Sequence, residues 1–316
     1  MSLNTRRSLL CSVAALGGLA VARLGMAQVG SGGTGISPAS IGQAELVVGV
    51  VTLRRDGQAP VALESGAMVM QDDQVDSGDE AEVHLAFDDG GYLALRPNSS
   101  VRINRYVVTG DATDVAAMTL LKGSMRCVTG WIGKLDPTRY RIFAGTATID
   151  VRGTDHEVVL VGAQDGLSDA EPGVHNRVNE GATVLRNAGS TVEVAQGAAA
   201  YAPRGAAPRL YASLPPFFNR LRTPQDARVE TYARDVRQRI EGRLRQLGRL
   251  NPGERFEQYR ERVHARRARR AEGGTTPNPR TPAGGRPPAQ LAREQRREAR
   301  EARRPAPAAK QHRTPR

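Results

Sequence analysis

Short runs that alternate apolar and polar residues, separated by clusters of Gly, Asp, Asn and Ser, fill the middle of the chain. Residues 81–87 alternate clearly, as a half-buried strand requires, because successive side chains face opposite sides. Residues 88–91 then supply a tight Asp-Asp-Gly-Gly turn, and residues 92–95 form its partner strand. Turns at intervals of about 8–12 residues are typical of all-β folds. We therefore predict an all-β domain, a short-strand roll or sandwich with β-helical character.

The predicted β-domain extends from residue 45 to residue 204. A strand pair broken at Gly123 is predicted over residues 118–128, and further strands over residues 147–151 and 157–161. After an acidic loop, residues 174–187 and 191–201 form a second turn-rich unit. We assign this unit to the same roll.

The hydrophobic period changes after Pro224, within a basic helical region that we place at residues 217–271. Apolar residues then recur at steps of three and four, which lines them along one side of a helix. These residues are Val229, Tyr232, Val236, Ile240, Leu244 and Leu247. A second basic helix is predicted over residues 254–271. The apolar stripe could pack back on the β-domain, bind a partner helix or lie on an anionic membrane surface.

The first 27 residues have the features of an export signal. Arg6-Arg7 precedes an apolar run over residues 9–22, and Gly25-Met26-Ala27 is a small-x-small cleavage site. The apolar run is shorter than the roughly 20 residues that span a bilayer. Residues 5–10 resemble a twin-arginine signal, with an ordinary Sec signal or an uncleaved anchor as alternatives. We therefore predict a periplasmic or otherwise exported protein, cleaved after Ala27.

Two further segments lack the apolar residues needed for a packed core. Residues 28–44 are rich in Gly, Ser and Pro and are predicted to be a flexible leader. Residues 272–316 are rich in Arg, Pro and Ala without apolar periodicity, so a disordered tail is predicted.

The formal net charge of +12 is unevenly distributed. Residues 28–220 hold 16 basic and 22 acidic residues, a net of −6, whereas residues 221–316 hold 26 basic and 11 acidic residues, a net of +15. The high pI therefore belongs to the C-terminal third, and a nucleic-acid partner is not expected. We expect the tail to engage an anionic surface or a protein partner in the cell envelope.

The sequence offers weak evidence for catalysis. Candidate acids and bases occur at Asp88-Asp89, at residues 155–157 and at His175, but adjacent strand residues face opposite sides and cannot converge. Metal-spaced Cys/His clusters and phosphate-loop motifs are lacking. Asp72-Asp73 and Asp88-Asp89 could bind calcium, although turns favour Asp without any metal. Cys127 is expected to be a buried apolar residue. We predict a non-enzymatic protein without a cofactor or a bound metal.

Several motifs occur in an order that resembles a FecR domain, an extracytoplasmic β-domain. They include Ser77-Gly78-Asp79, Asp89-Gly90-Gly91-Tyr92-Leu93, Leu95-Arg96-Pro97-Asn98-Ser99, Lys122-Gly123-Ser124-Met125-Arg126 and Val151-Arg152-Gly153-Thr154. The resemblance covers roughly residues 45–162 and implies an all-β fold. It differs at His156, where the family usually has an aromatic residue. If His156 faces the core, we expect a neutral, hydrogen-bonded imidazole.

The motif residues are expected to be structural. These residues are Val151, Arg152, Gly153, Thr154, Gly123, Gly90 and Asp89. A glycine permits a turn or bulge, and the Arg152 guanidinium is expected to tie neighbouring carbonyls or a carboxylate such as Asp150 or Asp155.

The resemblance also bears on function. FecR regulators place a cytoplasmic segment that binds a sigma factor before a membrane span, and only about seven residues precede the apolar run here. We therefore expect an exported binding or scaffolding module, with a periplasmic sensor or signal-transduction component related to FecR regulators of iron uptake as the alternative.

Overall fold

The computed structural model describes residues 40–111, 113–163 and 169–271. The predicted all-β domain followed by a helical segment is confirmed. The described strands are β1 (Ser40–Val48), β2 (Val51–Arg54), β3 (Val61–Ala62), β4 (Met68–Met70), β5 (Gln74–Ser77), β6 (Glu82–Phe87), β7 (Tyr92–Leu95), β8 (Ser100–Val107), β9 (Val115–Val128), β10 (Tyr140–Ala144), β11 (Ala147–Val161), β12 (Gly173–Asn187), β13 (Ser190–Ala195), β14 (Ala199–Pro203) and β15 (Arg209–Leu210).

These strands form one continuous, mostly antiparallel network. Its main path runs β15-β14-β12-β11-β10-β9-β7-β6-β1-β4, while β8 joins β9 to β5, and β5 continues to β2 and β3. Within this network β10 and β9 pair in parallel. Tyr92, Leu93 and Leu95 of β7 are buried, and the partner strand of the predicted hairpin is β6.

Three long strands bend at a glycine and change partners there. The first part of β9 pairs with β8 and β10, and after Gly123 the strand pairs with β7 and β11. Likewise, β11 pairs with β10 before Gly153 and with β9 after it, and β12 pairs with β14 before Gly181 and with β13 after it. All three glycines have positive φ, at +77°, +64° and +80° in chain order. The bends let the strands change direction, so the ribbon of strands folds over a buried core.

These bends correct two of our strand predictions. The predicted break at Gly123 is a bend inside the continuous strand β9, and the two strands predicted over residues 147–151 and 157–161 are one strand, β11. A glycine interrupts the alternation of apolar and polar side chains, but the backbone on both sides of it can still hydrogen-bond to neighbouring strands. The leader also ends earlier than predicted, because β1 begins at Ser40 and pairs with β4 and β6.

Four α-helices and one short 3-10 helix (Pro137–Arg139) complete the described chain. The α-helices are α1 (Trp131–Leu135), α2 (Phe217–Arg220), α3 (Asp226–Gln246) and α4 (Phe256–Ala271). The short helix α1 is not predicted from the sequence, and its Trp131 is fully buried. The main core joins residues of the sheet to residues of α1, α3 and α4. A smaller core beneath α2 holds Val159, Val161, Ala199, Phe217 and Phe218.

None of the helices within the described ranges is long and apolar enough to cross a bilayer. The predicted signal at residues 1–27, most of the leader and the tail at residues 272–316 lie outside the described residues.

Candidate functional site

Two arginines of the sequence motifs, Arg96 and Arg126, meet two carboxylates of β11 inside the sheet. The guanidinium of Arg126 on β9 donates two hydrogen bonds to Asp155 on β11, with Nε–Oδ1 at 2.9 Å and Nη2–Oδ2 at 2.7 Å. Arg96, which follows β7, lies 3.0 Å from the Glu157 carboxylate. All four side chains are buried. Fork-shaped arginines can satisfy two carboxylate oxygens at once, so the charges neutralise one another within the fold.

Asp226, the first residue of α3, completes this cluster. Its Oδ1 lies 3.2 Å from Arg96 Nη2 and 3.6 Å from Arg126 Nη1, and its Oδ2 accepts the Thr223 backbone N–H at 2.9 Å. A carboxylate in the first turn also interacts favourably with the helix dipole. The helix start is therefore attached to the two strand arginines. An acid at a helix start was visible in the sequence, but its partners lie about a hundred residues away.

The guanidinium of Arg152 has a different partner from the two carboxylates named in the prediction. Its guanidinium is half exposed and lies 3.4 Å from Glu193 of β13, which is itself exposed. Asp150 instead pairs with Arg141 and Arg186. Arg152 therefore pairs with a carboxylate, as the prediction expects, but the partner is Glu193, because other arginines occupy both Asp150 and Asp155. The bend places the Arg152 side chain at the surface.

The other residues of the Val151–Thr154 motif shape and hold the bend of β11. Val151 is fully buried, and Gly153 forms the bend. Thr154 accepts two hydrogen bonds at its carbonyl from Thr129, at 2.9 Å and 3.1 Å, and its N–H donates to the Thr129 hydroxyl at 2.7 Å. These bonds attach β11 to the turn that leads into α1.

Asp89 lies in the hairpin turn between β6 and β7 and is fully buried. Its Oδ1 accepts hydrogen bonds from the Tyr106 hydroxyl and the Gly91 backbone N–H, both at 2.8 Å. Burial raises the pKa of Asp89 to about 6, although these donors oppose the shift. Gly90 beside it has φ +75°, and a Cβ there would lie 3.0 Å from Ile240 of α3. The turn is therefore shaped to receive the helix.

His156 is fully buried, so the condition attached to its predicted state is met. Its Nδ1 lies 3.2 Å from the Asn176 side-chain nitrogen, whereas Nε2 has no hydrogen-bond partner within the described part of the chain. Burial lowers the pKa of His156 to about 4. The imidazole is therefore neutral at pH 7, and only one of its nitrogens is hydrogen-bonded.

The apolar stripe of α3 is covered by the chain's own sheet. Val229, Tyr232, Val236, Ile240 and Leu244 are buried in the main core, whereas Leu247 at the end of the helix is 41% exposed. The Tyr232 ring stacks on Tyr92 with centroids 4.0 Å apart. Of the three placements open from the sequence, packing on the β-domain is the one observed. These five residues are therefore not a free surface for a partner helix.

The remaining candidate groups also have partners within the fold. Asp73 pairs with Arg55 at 2.8 Å and Asp88 with Arg243 at 2.5 Å. His175 contacts the Tyr211 hydroxyl at 2.7 Å and the Glu171 carbonyl at 2.8 Å. Cys127 is buried, and burial raises the pKa of its thiol. Within the described ranges, no three His, Cys, Asp or Glu side chains gather as a metal site would require.

Comparison with known families identifies the domain. Residues 73–199 match the family described as FecR protein. This part of the chain is a FecR domain. The match begins just before β5 and ends at the start of β14. The FecR domain therefore contains all three glycine bends and the buried charges Arg96, Arg126, Asp155 and Glu157. Helix α3, which supplies Asp226, lies after it.

Two crystal structures of a candidate anti-sigma factor from Parabacteroides distasonis resemble part of this chain. One is 9% identical with a TM-score of 0.36, and covers 46% of this chain and 62% of its own. The other is 10% identical with a TM-score of 0.37, and covers 50% of this chain and 71% of its own. The chain thus spans less than two thirds of the first of these proteins. No curated protein matches this sequence.

Proposed function

We propose that this chain is an exported, non-enzymatic FecR-domain protein that acts as a binding or scaffolding module in the cell envelope. The proposal rests on the way in which the buried charged residues of the domain pair with one another. Arg96, Arg126, Asp155 and Glu157 are buried and paired with one another, and Asp226 attaches α3 to the same cluster. A buried, paired charge is held in one position, which suits a rigid scaffold better than a reaction that must move protons.

The charge distribution supports an anionic partner. Residues 221–316 carry a net charge of +15, and the charges of α3 and α4 that do not pack on the sheet face solvent. Exposed cations attract phosphate-bearing or acidic surfaces over roughly a Debye length, about 8 Å at physiological ionic strength. The basic C-terminal third is therefore proposed to hold the module at an anionic envelope component, with no cofactor involved.

Cell fractionation tests this function. An epitope-tagged chain is expected in the envelope or periplasmic fraction, and deletion of residues 2–27 should retain it in the cytoplasm. Deletion of residues 272–316 should weaken envelope association in low salt, while high salt should release the intact protein. A full-length protein that remains cytoplasmic would disprove the proposal.

A second candidate is a periplasmic sensor or signal-transduction component related to FecR regulators, which the family match favours. Deletion of the gene would then change transcription of envelope or iron-uptake genes. An unchanged transcript profile with altered envelope composition would favour the scaffolding role instead.

A further inference from the structure

A basic cleft lies where α1, the bend of β11, and helices α3 and α4 meet. Its volume is about 590 Å³, within the range that small-molecule sites occupy. Residues of α1, β11, β12, α3 and α4 and Pro137 form its walls, so its shape is set by the tertiary fold. The side chains that determine its charge are Lys134, Arg152, Glu180, Arg234, Arg237, Glu257 and Arg260.

Cations outnumber carboxylates in this cleft by five to two. Arg237 and Arg260 share one carboxylate, Glu257, at 3.8 Å and 2.8 Å. Arg152 has an exposed partner outside the cleft, Glu193. Sharing one carboxylate between two guanidinium groups leaves donors free for a further anion.

Among these cations, Lys134 combines partial burial with the lack of a close carboxylate among the residues that the structure describes. Its side chain is partly buried, and no carboxylate of the described residues lies within 4 Å of its ammonium. Burial lowers the pKa of Lys134, while Glu180 and Glu257 oppose that shift from a distance. A desolvated ammonium without a close counter-ion gains most from a bound anion.

The bend of β11 fixes the position of Lys134. Gly153 has φ +64°, and a Cβ there would lie 3.1 Å from Cγ of Lys134 and 3.6 Å from its Cα. The glycine therefore gives α1 and the Lys134 stem room to pass over the bend. Lys134 therefore lines the same cleft as the arginines of α3 and α4.

We propose that this cleft binds a dianionic phosphate group, carried either by a small soluble molecule or by a lipid headgroup. A compact ammonium combined with fork-shaped guanidinium groups is the arrangement that recognises phosphate oxygens. The excess of cations exceeds what a single monocarboxylate would neutralise. The inference rests on the proposed binding function and names the ligand class for it.

Titration calorimetry of the purified full chain with inorganic phosphate and pyrophosphate tests the site. Lys134→Gln and Arg237→Gln are each expected to weaken binding about tenfold, which corresponds to about 1.4 kcal/mol. Lys122→Gln is the matched control, because Lys122 is an exposed lysine outside this cleft. Glu180→Gln removes a carboxylate from the cleft wall and should tighten binding. Equal urea midpoints for all variants would show that each one folds.

Three results would overturn the site: no phosphate binding by the unmodified chain, equal losses in Lys134→Gln and Lys122→Gln, or no tightening in Glu180→Gln. Vesicles containing phosphatidic acid, compared with phosphatidylcholine alone, distinguish the two sources. Binding to the acidic vesicles that Lys134→Gln abolishes assigns a lipid headgroup. Binding of phosphate and pyrophosphate without vesicle binding assigns a soluble ligand.

The outcome separates this site from the proposed function. A chain that fractionates with the envelope but binds no phosphate disproves the cleft alone. A cytoplasmic chain that binds phosphate through Lys134 disproves the envelope role alone.

Discussion

Single glycines set the corners of this domain. At Gly123 the backbone has φ +77°, and a Cβ there would lie 2.2 Å from the Ser99 hydroxyl and 2.7 Å from the Asn98 carbonyl oxygen. The Ser99 hydroxyl also accepts the Ser124 backbone N–H at 2.8 Å, so it cannot move away freely. Conformation and space therefore both require glycine at this position.

Gly123→Ala is expected to lower the free energy of unfolding by about 3 kcal/mol or more. About 1–2 kcal/mol would come from the left-handed backbone and the rest from the clash with Ser99. Gly189→Ala is the matched control, because Gly189 has φ +75° with open space around its Cβ position, and it should lose only about 1–2 kcal/mol, the cost of the left-handed backbone. Urea unfolding measures both. Equal losses would show that backbone conformation alone requires glycine at the bend.

At the scale of elements, α3 is held to the sheet by an ion cluster at its start and by its apolar stripe along its length. Ile240 is fully buried against the Gly90 turn. The Tyr232 ring stacks on Tyr92, and the Arg239 guanidinium lies 4.1 Å from the Tyr232 ring centroid. Most of the stability of a helix in a folded protein comes from such packing. The helix is therefore part of the domain, although it lies beyond the segment that matches the FecR family.

Ile240→Ala is expected to cost about 2–5 kcal/mol, since it leaves a cavity between α3 and the turn. Leu247→Ala, at the exposed end of the same helix, should change stability by less than about 1 kcal/mol. Urea unfolding followed by both circular dichroism and Tyr/Trp fluorescence would check this. A single shared transition is expected, whereas separate loss of the helical signal would contradict docking of α3 on the sheet.

For the whole molecule, two buried groups make opposing contributions to the pH dependence of stability. The pKa of Asp89 is raised to about 6, so between about pH 4 and 6 the native state keeps a proton that the unfolded chain releases, and stability falls as pH rises. The pKa of His156 is lowered to about 4, so the unfolded chain binds the extra proton and stability rises over about pH 4–6.5. The two contributions nearly cancel.

Replacing either side chain should therefore expose the contribution of the other one to the pH dependence of stability. Relative to the unmodified chain, Asp89→Asn is expected to gain roughly 3 kcal/mol as pH rises from 4 to 6. His156→Phe should lose a similar amount between pH 4 and 6.5 relative to the unmodified chain. Urea unfolding at each pH measures these differences, and carboxylates common to all variants cancel from them. Parallel curves for the three proteins would contradict the assigned pKa values.

The predictability of the fold differs between kinds of residue. Alternation located the β6–β7 hairpin, and steps of three and four located the stripe of α3, because these periods follow from backbone geometry. The bends at Gly123 and Gly153 were interpreted as breaks, since a glycine in the sequence does not show whether pairing continues. The carboxylate that pairs with Arg152 is Glu193 and neither of the two named examples, and the partners of Asp226 are not predicted, because each pairing depends on segments distant in the chain.

The sequence by itself determined the all-β class, the turns and the amphipathic helix, all of which depend on local backbone preferences and on the period of side chains. Only the tertiary structure decided that α3 covers the sheet, that Asp226 joins Arg96 and Arg126, and that Lys134 lines the same cleft as the arginines of α3 and α4. Charges have no periodic signature, and any of the many arginines could have paired with any carboxylate. The folded sheet decides which arginine and which carboxylate lie close enough to pair.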